Sequence, residues 1–330
     1  MKKNLSHHPS AELANGGGAP RALPSFSFSK SGTADLLFLY LTGFFAFLIL
    51  ALAAANAFFL WRAAGPSIEK TGWSFLTTSD WDPVQGLFGS TPFVYGTLVS
   101  SFLALLIATP FGLGISLFLT ELAPMKFRDP VAFLVEILAA IPSVVYGLWG
   151  IFLLAPFMRV HVDPLLMKLG LPIFKGPSTG LSIFTASIIL SIMILPTITA
   201  ISREVFEAVP NSYRESARAL GATSWETILL AVVKPSKVGV LGAIMLAMGR
   251  ALGETMAVTM VIGNNPQVTT NLLGAGHSMA SVIANEFSEA NSDLHISALA
   301  EIGLLLMVIT LVLNIVANLL VWATATKFKK

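Results

Sequence analysis

The sequence contains no cysteine, and only 12% of its 330 residues are charged. Without thiols the chain can form no disulfide and can offer neither a cysteine nucleophile nor a cysteine-based metal site. Soluble domains usually carry about a quarter charged residues, so a chain this poor in charge cannot cover a surface exposed to water. With 55% hydrophobic residues, the composition predicts an integral membrane protein.

The sequence also lacks a phosphate-binding loop of the form G-x-x-x-x-G-K-[ST], so we expect no ATP hydrolysis by this chain. Its five histidines are scattered, without the spacing typical of a metal site. We find no set of nucleophile, base and acid that would form an active site. We therefore predict that the chain is not an enzyme, needs no cofactor or metal, and does not bind nucleic acid.

Long apolar runs are abundant in the sequence. A helix needs about 20 mostly apolar residues to cross a bilayer. Proline and glycine recur inside these runs, which is tolerated where neighbouring helices satisfy the freed backbone groups. The pattern predicts an all-α integral membrane protein with six packed transmembrane helices. The candidate spans are roughly 36–61, 93–122, 131–157, 181–202, 238–262 and 296–323.

Lysine and arginine are unevenly distributed between the two sets of connecting segments. Fourteen lie in the N-terminal tail, in the segments after the second and fourth spans, and at the C-terminus, whereas five lie in the opposite segments. The remaining one is Arg250, inside the fifth span. Because basic residues accumulate on the cytoplasmic side, we expect both termini to be cytoplasmic in a protein of the cell (inner) membrane.

The loop 203–237 is long and has helical character. Its pattern predicts two short amphipathic helices, of which the first covers 211–220 and ends at Gly221. The second begins near Ser224 and is broken by Pro235 before the next span. Such a pair either packs under the bundle as a surface element or forms a docking site for a cytoplasmic partner.

Two charged residues, Arg250 and Glu254, lie near the middle of the fifth apolar run. Side chains four residues apart share a face of a continuous helix, so we expect these two to lie side by side. An arginine at the centre of a membrane helix costs about 2.5–3.5 kcal/mol, and a mutual ion pair would offset part of this cost. The two residues therefore form either a structural ion pair or the lining of an anion path.

The anion-path hypothesis follows from the chemistry of the two side chains. Arg250 carries a permanent charge and a planar fork of donors that suits tetrahedral oxyanions. Glu254 would partly neutralise this charge and would accept a hydrogen bond from a protonated P–OH group. A fully ionised sulfate has no such proton and would be repelled, so the pair predicts selectivity for phosphate.

The stretch ESARALGATSWETILLAVVKP resembles the cytoplasmic loop of ABC importer permeases, in which an E-A-A triplet precedes a glycine. Here Glu215, Ser216, Ala217 and Gly221 occupy these positions, with Ser216 replacing the middle alanine. In that family the loop docks on the ATP-hydrolysing subunit and passes its motion to the membrane helices. The resemblance therefore implies that these four residues couple the chain to an ATPase.

A closer resemblance is carried by GRALGETMAVTMVIGNNP at 249–266, which is similar to the fifth helix of PstC-type permeases of phosphate ABC importers. The segments 97–124, 141–150 and 281–290 are also similar to that family. The resemblance implies a type I ABC importer permease fold, with Arg250 and Glu254 on the substrate path. It further implies a second, PstA-type permease, a cytoplasmic ATPase dimer and an extracytoplasmic phosphate-binding protein as partners.

These expectations together define a domain organisation for a chain embedded in membrane lipid. The long cytoplasmic segment is interpreted as the coupling loop, and the termini as tails. The predicted segments are a disordered cytoplasmic tail at 1–35, a first transmembrane helix at 36–62, an extracytoplasmic loop at 63–92, an ABC importer transmembrane domain at 93–323 with the coupling loop at 203–237, and a basic cytoplasmic tail at 324–330.

Two alternative functions remain compatible with the sequence. One is a permease for another oxyanion, such as sulfate or molybdate, since the Arg250–Glu254 pair favours phosphate only weakly. The other is a membrane scaffold or signalling partner without a path of its own, because the PstC-type family is associated with reporting phosphate supply to a sensor kinase.

Overall fold

The computed structural model describes residues 32–326, so that most of the predicted tails 1–35 and 324–330 lie outside the described residues. Within that range, regular structure is helical apart from one isolated β-bridge between Asp82 and Leu87. The predicted all-α class is therefore confirmed.

Six helices of the described range, α1, α3, α5, α6, α8 and α11, are long and apolar enough to cross a membrane, as predicted. The helices in chain order are α1 (Thr33–Thr71), α2 (Ser74–Thr77), α3 (Thr91–Leu122), α4 (Met125–Ala140), α5 (Ser143–Lys168), α6 (Ile183–Glu207), α7 (Asn211–Ala219), α8 (Ser224–Leu252), α9 (Met256–Val261), α10 (Met279–Glu286) and α11 (Asp293–Thr326).

The first part of α1, up to Ala54, forms a structural unit of its own. Its large apolar side chains, such as Phe38 and Ile49, are exposed, which suits a helix in contact with lipid. In the second unit, from residue 55 onward, α1 continues to Thr71 and so extends into the segment expected to be a loop from residue 63.

The third predicted span, 131–157, does not match one helix. The structure has α4 ending at Ala140, an extended residue at Ile141, and α5 beginning after Pro142. Proline disfavours the helical conformation of the residue before it, which accounts for the break. The crossing helix is therefore α5, and α4 is a separate amphipathic helix that carries charged residues in its first half.

Helix α6 lies at the centre of the bundle, since 67% of its most apolar stretch is buried. It packs most extensively against α3, where a Cβ on Gly112 would lie 2.8 Å from Ile198. At Gly150 of α5, a Cβ would lie 2.5 Å from Ile189 of α6. These glycines bring the helix backbones close together, as small residues do in membrane bundles.

An aromatic cluster covers the beginning of α3, at the end of the bundle opposite the loop 203–237. It consists of Phe75, Trp81, Phe88 and Phe93, all buried. The indole Nε1 of Trp81 donates to Glu286 Oε2 at 2.9 Å, which ties the segment before α3 to the end of α10. This end of the bundle is therefore a packed structure rather than a set of loose loops.

Candidate translocation site and coupling loop

The fifth predicted span is interrupted at the position of its two charges. Helix α8 ends at Leu252, a three-residue break follows, and α9 begins at Met256. Arg250 lies in the last turn of α8, whereas Glu254 lies in the break. The expectation that both side chains share one face of a continuous helix is therefore wrong. Glycine is a poor helix former, and Gly253 occupies the cap position where the helix stops.

Each charge interacts with a helix end. Arg250 is in the last turn of α8, where the partial negative charge of the helix terminus favours a cation. The carboxylate Oε1 of Glu254 accepts a hydrogen bond at 3.3 Å from the backbone N–H of Ala257, in the first turn of α9. The ion pairs within residues 32–326 do not join Arg250 to Glu254. The two charges are thus separately stabilised.

The guanidinium of Arg250 is exposed and weakly held. Its Nη1 donates to the hydroxyl of Thr197 on α6 at 3.5 Å, at the long limit of a hydrogen bond. Tyr146 on α5 lies close enough to interact with its charge. The remaining donors of Arg250 meet no acceptor in the described part of the chain. An arginine in this state can bind an oxyanion through two parallel hydrogen bonds.

The face of α8 beside Arg250 is open. A Cβ on Gly242 or Gly249 would meet no atom within 4 Å, and Leu246 between them is exposed. Together with Gly253, these residues recur at helical spacing and form a stripe along one face. Small residues allow another helix to approach closely, so this face suits contact with a second membrane subunit.

The predicted helix pair in the loop 203–237 is present. Helix α7 ends in a Schellman motif, in which Gly221 has φ +86° and donates to the carbonyl of Arg218 at 3.0 Å. The next residue, Ala222, donates to Ala217 at 3.1 Å. Thr223 and Glu226 then form a capping box that begins α8. The sharp turn between the two helices is thus determined by their terminal residues.

Pro235 does not break the second helix, contrary to expectation. Residues 228–233 form a π-helical turn that ends two positions before the proline, and the chain remains helical from Ser224 to Leu252. A π turn lengthens the hydrogen-bonding pattern locally, which accommodates a residue without an N–H. As a result, one helix joins the loop 203–237 to Arg250.

The four residues of the E-A-A pattern lie at the surface of this loop. Glu215, Ser216 and Gly221 are exposed, and Ala217 is half-buried. Ala217 and Gly221 line a groove of about 520 Å³ together with apolar side chains, including Leu220, which is 89% exposed. A large apolar side chain at this exposure is suited to insertion into a partner.

The comparison with known protein families decides the class of this chain. A family model described as binding-protein-dependent transport system inner membrane component matches residues 112–329, which include Arg250, Glu254 and the loop 203–237. The chain belongs to this transporter family. Its members are membrane components of transport systems, so the predictions of a multi-pass membrane protein and of a non-enzymatic chain are confirmed.

Individual relatives of this transporter component match nearly its whole length. The phosphate transport system permease protein PstC of Pasteurella multocida is 47% identical over 293 residues, covering 87% of this chain and 91% of the relative. The PstC of Mesorhizobium japonicum is 43% identical over 309 residues, covering 90% and 94%. The resemblance to PstC-type permeases inferred from the sequence is therefore confirmed.

Solved transporters share the fold. A bacterial alginate ABC transporter has a TM-score of 0.56 at 18% identity, covering 86% of this chain and 92% of that one. An inward-facing methionine ABC transporter has a TM-score of 0.53 at 18% identity, covering 70% and 94%. The predicted type I ABC importer permease fold is confirmed.

The chain also contains one buried ion pair that the sequence patterns do not predict. Arg214 of α7 binds Glu121 at the end of α3, with 2.7 Å between Nη2 and Oε1, and both side chains are largely buried. From the sequence alone, Arg214 is only one of the basic residues that indicate membrane orientation, and Glu121 has no assigned role. The sequence signal that could have indicated this pair is Glu121 itself, a single acidic residue at the end of an apolar span. A charge at such a position needs a partner.

Proposed function

We propose that this chain is the membrane-spanning permease subunit of an ATP-driven importer, which moves inorganic phosphate across the cytoplasmic membrane by alternating access. The observation that carries the proposal is the exposed, weakly held guanidinium of Arg250 at a helix break within an apolar bundle. Intramembrane charges of this kind usually line a substrate path. The PstC relatives, named as phosphate transport permeases, supply the substrate class.

In the proposed path, Arg250 binds two oxygens of the anion through its planar fork of donors. Glu254 lies four positions further along the chain and is half-buried. Its carboxylate accepts a hydrogen bond from the protonated oxygen of phosphate and repels a fully ionised sulfate. The proposal thus assigns affinity to Arg250 and selectivity to Glu254.

The proposed partners follow from the exposed surfaces. A second, PstA-type permease packs on the open glycine stripe of α8 and closes the path around Arg250. The cytoplasmic ATPase dimer docks on α7 and the turn at Gly221, so that Glu215, Ser216 and Ala217 are its contact positions. An extracytoplasmic phosphate-binding protein delivers the anion to the opposite end of the bundle. This arrangement requires both termini to be cytoplasmic.

The proposal is tested by uptake of labelled inorganic phosphate into vesicles that contain the whole reconstituted complex. We expect Arg250→Ala to abolish uptake while the ATPase and second permease still copurify with the chain. Arg159→Ala is the matched control, because Arg159 is an exposed arginine at another position, on α5. Sulfate and molybdate compete in parallel reactions. Normal phosphate uptake by the Arg250→Ala complex would refute the proposed path.

A further inference from the structure

The Arg214 side chain uses all of its hydrogen-bond donors within the chain. Its Nε and Nη2 donate to the Glu121 carboxylate, with a shortest distance of 2.7 Å from Nη2 to Oε1. Its Nη1 donates to the carbonyl of Val209 at 2.6 Å and to the side chain of Asn211 at 3.3 Å, and Nη2 donates to the carbonyl of Phe206 at 3.1 Å. We call these five residues the Arg214 junction.

The Arg214 junction joins three separate elements. Glu121 lies in the last turn of α3, Phe206 and Val209 lie at the end of α6 and just beyond it, and Arg214 lies on α7. Side chains of Arg214 and Glu121 are only 13% and 8% exposed. A planar fork that is buried and bonded on every side has little freedom, so the junction fixes α7 to the ends of α3 and α6.

No residue of α7 is buried as a whole, although the side chain of Arg214 is only 13% exposed. Two routes lead from α7 to the translocation site. The covalent route runs through the turn at Gly221 into α8, which carries Arg250. The second route runs through the Arg214 junction into α6, whose Thr197 contacts Arg250 from the other side.

We propose that Arg214 and Glu121 are positioning residues for transport, which make α3 and α6 follow a displacement of α7. This inference rests on the proposed function, in which α7 receives that displacement from the ATPase. Because α3 and α6 pack along each other, they move together. The intact junction makes this pair follow α7. Without the junction, only α8 follows α7, and the two sides of the site at Arg250 no longer move together.

The test measures ATP hydrolysed per phosphate imported by the reconstituted complex. Glu121→Gln keeps the shape of the carboxylate and removes its charge, whereas Arg214→Lys keeps the charge and removes the fork. We expect both variants to copurify with the ATPase in normal amounts and to hydrolyse ATP. We expect the number of ATP molecules hydrolysed per imported phosphate to rise about tenfold in each, within the range of measured coupling between sites.

The matched control is Glu207→Gln, which removes an ion pair of the same type on the same end of α6. Arg203 and Glu207 are 2.8 Å apart within one helix, are more exposed, and join no other element, so this variant should import phosphate at the normal ATP cost. A normal ATP cost in Glu121→Gln would overturn the inference. So would a parallel loss of ATP hydrolysis, import and copurification, because that result indicates a purely structural role.

Failure of this inference can be told apart from failure of the proposed function. If the unmodified complex imports no phosphate, the proposed function is refuted, and this inference with it. If the unmodified complex imports phosphate and both junction variants do so at the same ATP cost, only this inference is refuted.

Discussion

Arg250 and Arg214 are the same residue type in opposite states. Arg214 is largely buried, and its donors are satisfied by a carboxylate, two backbone carbonyls and an amide. Arg250 is exposed and has one long hydrogen bond, to Thr197. A guanidinium that is fully bonded within the protein holds elements together, whereas one that is left open can bind a ligand. The state of the side chain, rather than its identity, therefore distinguishes the proposed positioning role of Arg214 from the proposed binding role of Arg250.

The largest expected difference between the two sites is in stability. Arg214→Ala leaves the buried carboxylate of Glu121 unpaired, which should lower the free energy of unfolding by about 3–5 kcal/mol. Arg250→Ala removes an exposed side chain and should change it by less than about 0.5 kcal/mol. Thermal unfolding of the two variants in detergent measures the difference. Equal shifts of the melting temperature would contradict the contrast.

His277, a buried base at the other end of the bundle, can be compared with the buried Arg214. Burial lowers the pKa of His277 from 6.5 to about 4, so this side chain is neutral in the folded protein. Its Nδ1 lies 2.6 Å from the hydroxyl of Ser281. Unlike Arg214, His277 contacts no carboxylate in the described part of the chain that would favour its charged form.

The stability of the chain should therefore depend on pH through His277. Below pH 6.5 the unfolded chain binds a proton that the folded chain does not, so stability falls as the pH is lowered from about 6.5 to about 4. The full effect is about 3 kcal/mol, and no further loss arises from this residue below pH 4. Comparing the melting temperature of His277→Asn with that of the unmodified chain across this range isolates the contribution. An unchanged pH dependence in the variant would exclude it.

At the open site, we expect the planar donor groups of Arg250 to contribute to phosphate uptake in addition to its charge. Arg250→Lys keeps a permanent cation but loses the planar donors, so we expect phosphate uptake to fall about tenfold with normal assembly. The same exchange at Arg214 should instead raise the ATP cost of each imported phosphate. Uptake by Arg250→Lys at the normal rate would show that charge alone is sufficient at this position.

The sequence predicts the fold better than the geometry of the sites. The presence of six crossing helices is predictable, although the third lies further along the chain than expected, because long apolar runs in a chain with so little charge usually form membrane helices. Helix ends are predicted less well, because Pro142 ends a helix while the π turn before Pro235 allows one to continue. Both residues are prolines, and only the surrounding backbone decides which outcome occurs.

The geometry of the charged residues is also poorly predicted by local sequence patterns. The expectation that Arg250 and Glu254 lie side by side assumes a continuous helix, and the break at Gly253 removes that relation. The pair of Arg214 and Glu121 cannot be inferred from spacing at all, since its members are 93 positions apart in the chain. Local patterns identify residues that need partners, but the partners themselves are set by tertiary packing.

Selectivity at the open site should depend on Glu254. Glu254→Gln removes the negative charge and keeps a side chain of similar shape, so sulfate should no longer be repelled. We expect phosphate uptake to decrease and sulfate to become a competitor of phosphate in the reconstituted complex. Full phosphate uptake combined with full rejection of sulfate would contradict this role. The exposed Glu207 provides a control, since Glu207→Gln changes the net charge equally without altering the path.

The smallest expected effect concerns the turn between α7 and α8, the covalent route from the coupling loop to Arg250. Gly221 has φ +86°, where a residue with a Cβ is strained, so Gly221→Ala should cost about 1–2 kcal/mol although the space around it is open. Gly114→Ala on α3 is the matched control at an equally open position with helical backbone, outside the open face of α8, and should be neutral or stabilising. If strain at this turn also loosens the covalent route, Gly221→Ala should raise the ATP cost of import less than Glu121→Gln does, because the chain connection itself remains. A larger increase for Gly221→Ala would show that the turn, and not the Arg214 junction, transmits most of the motion.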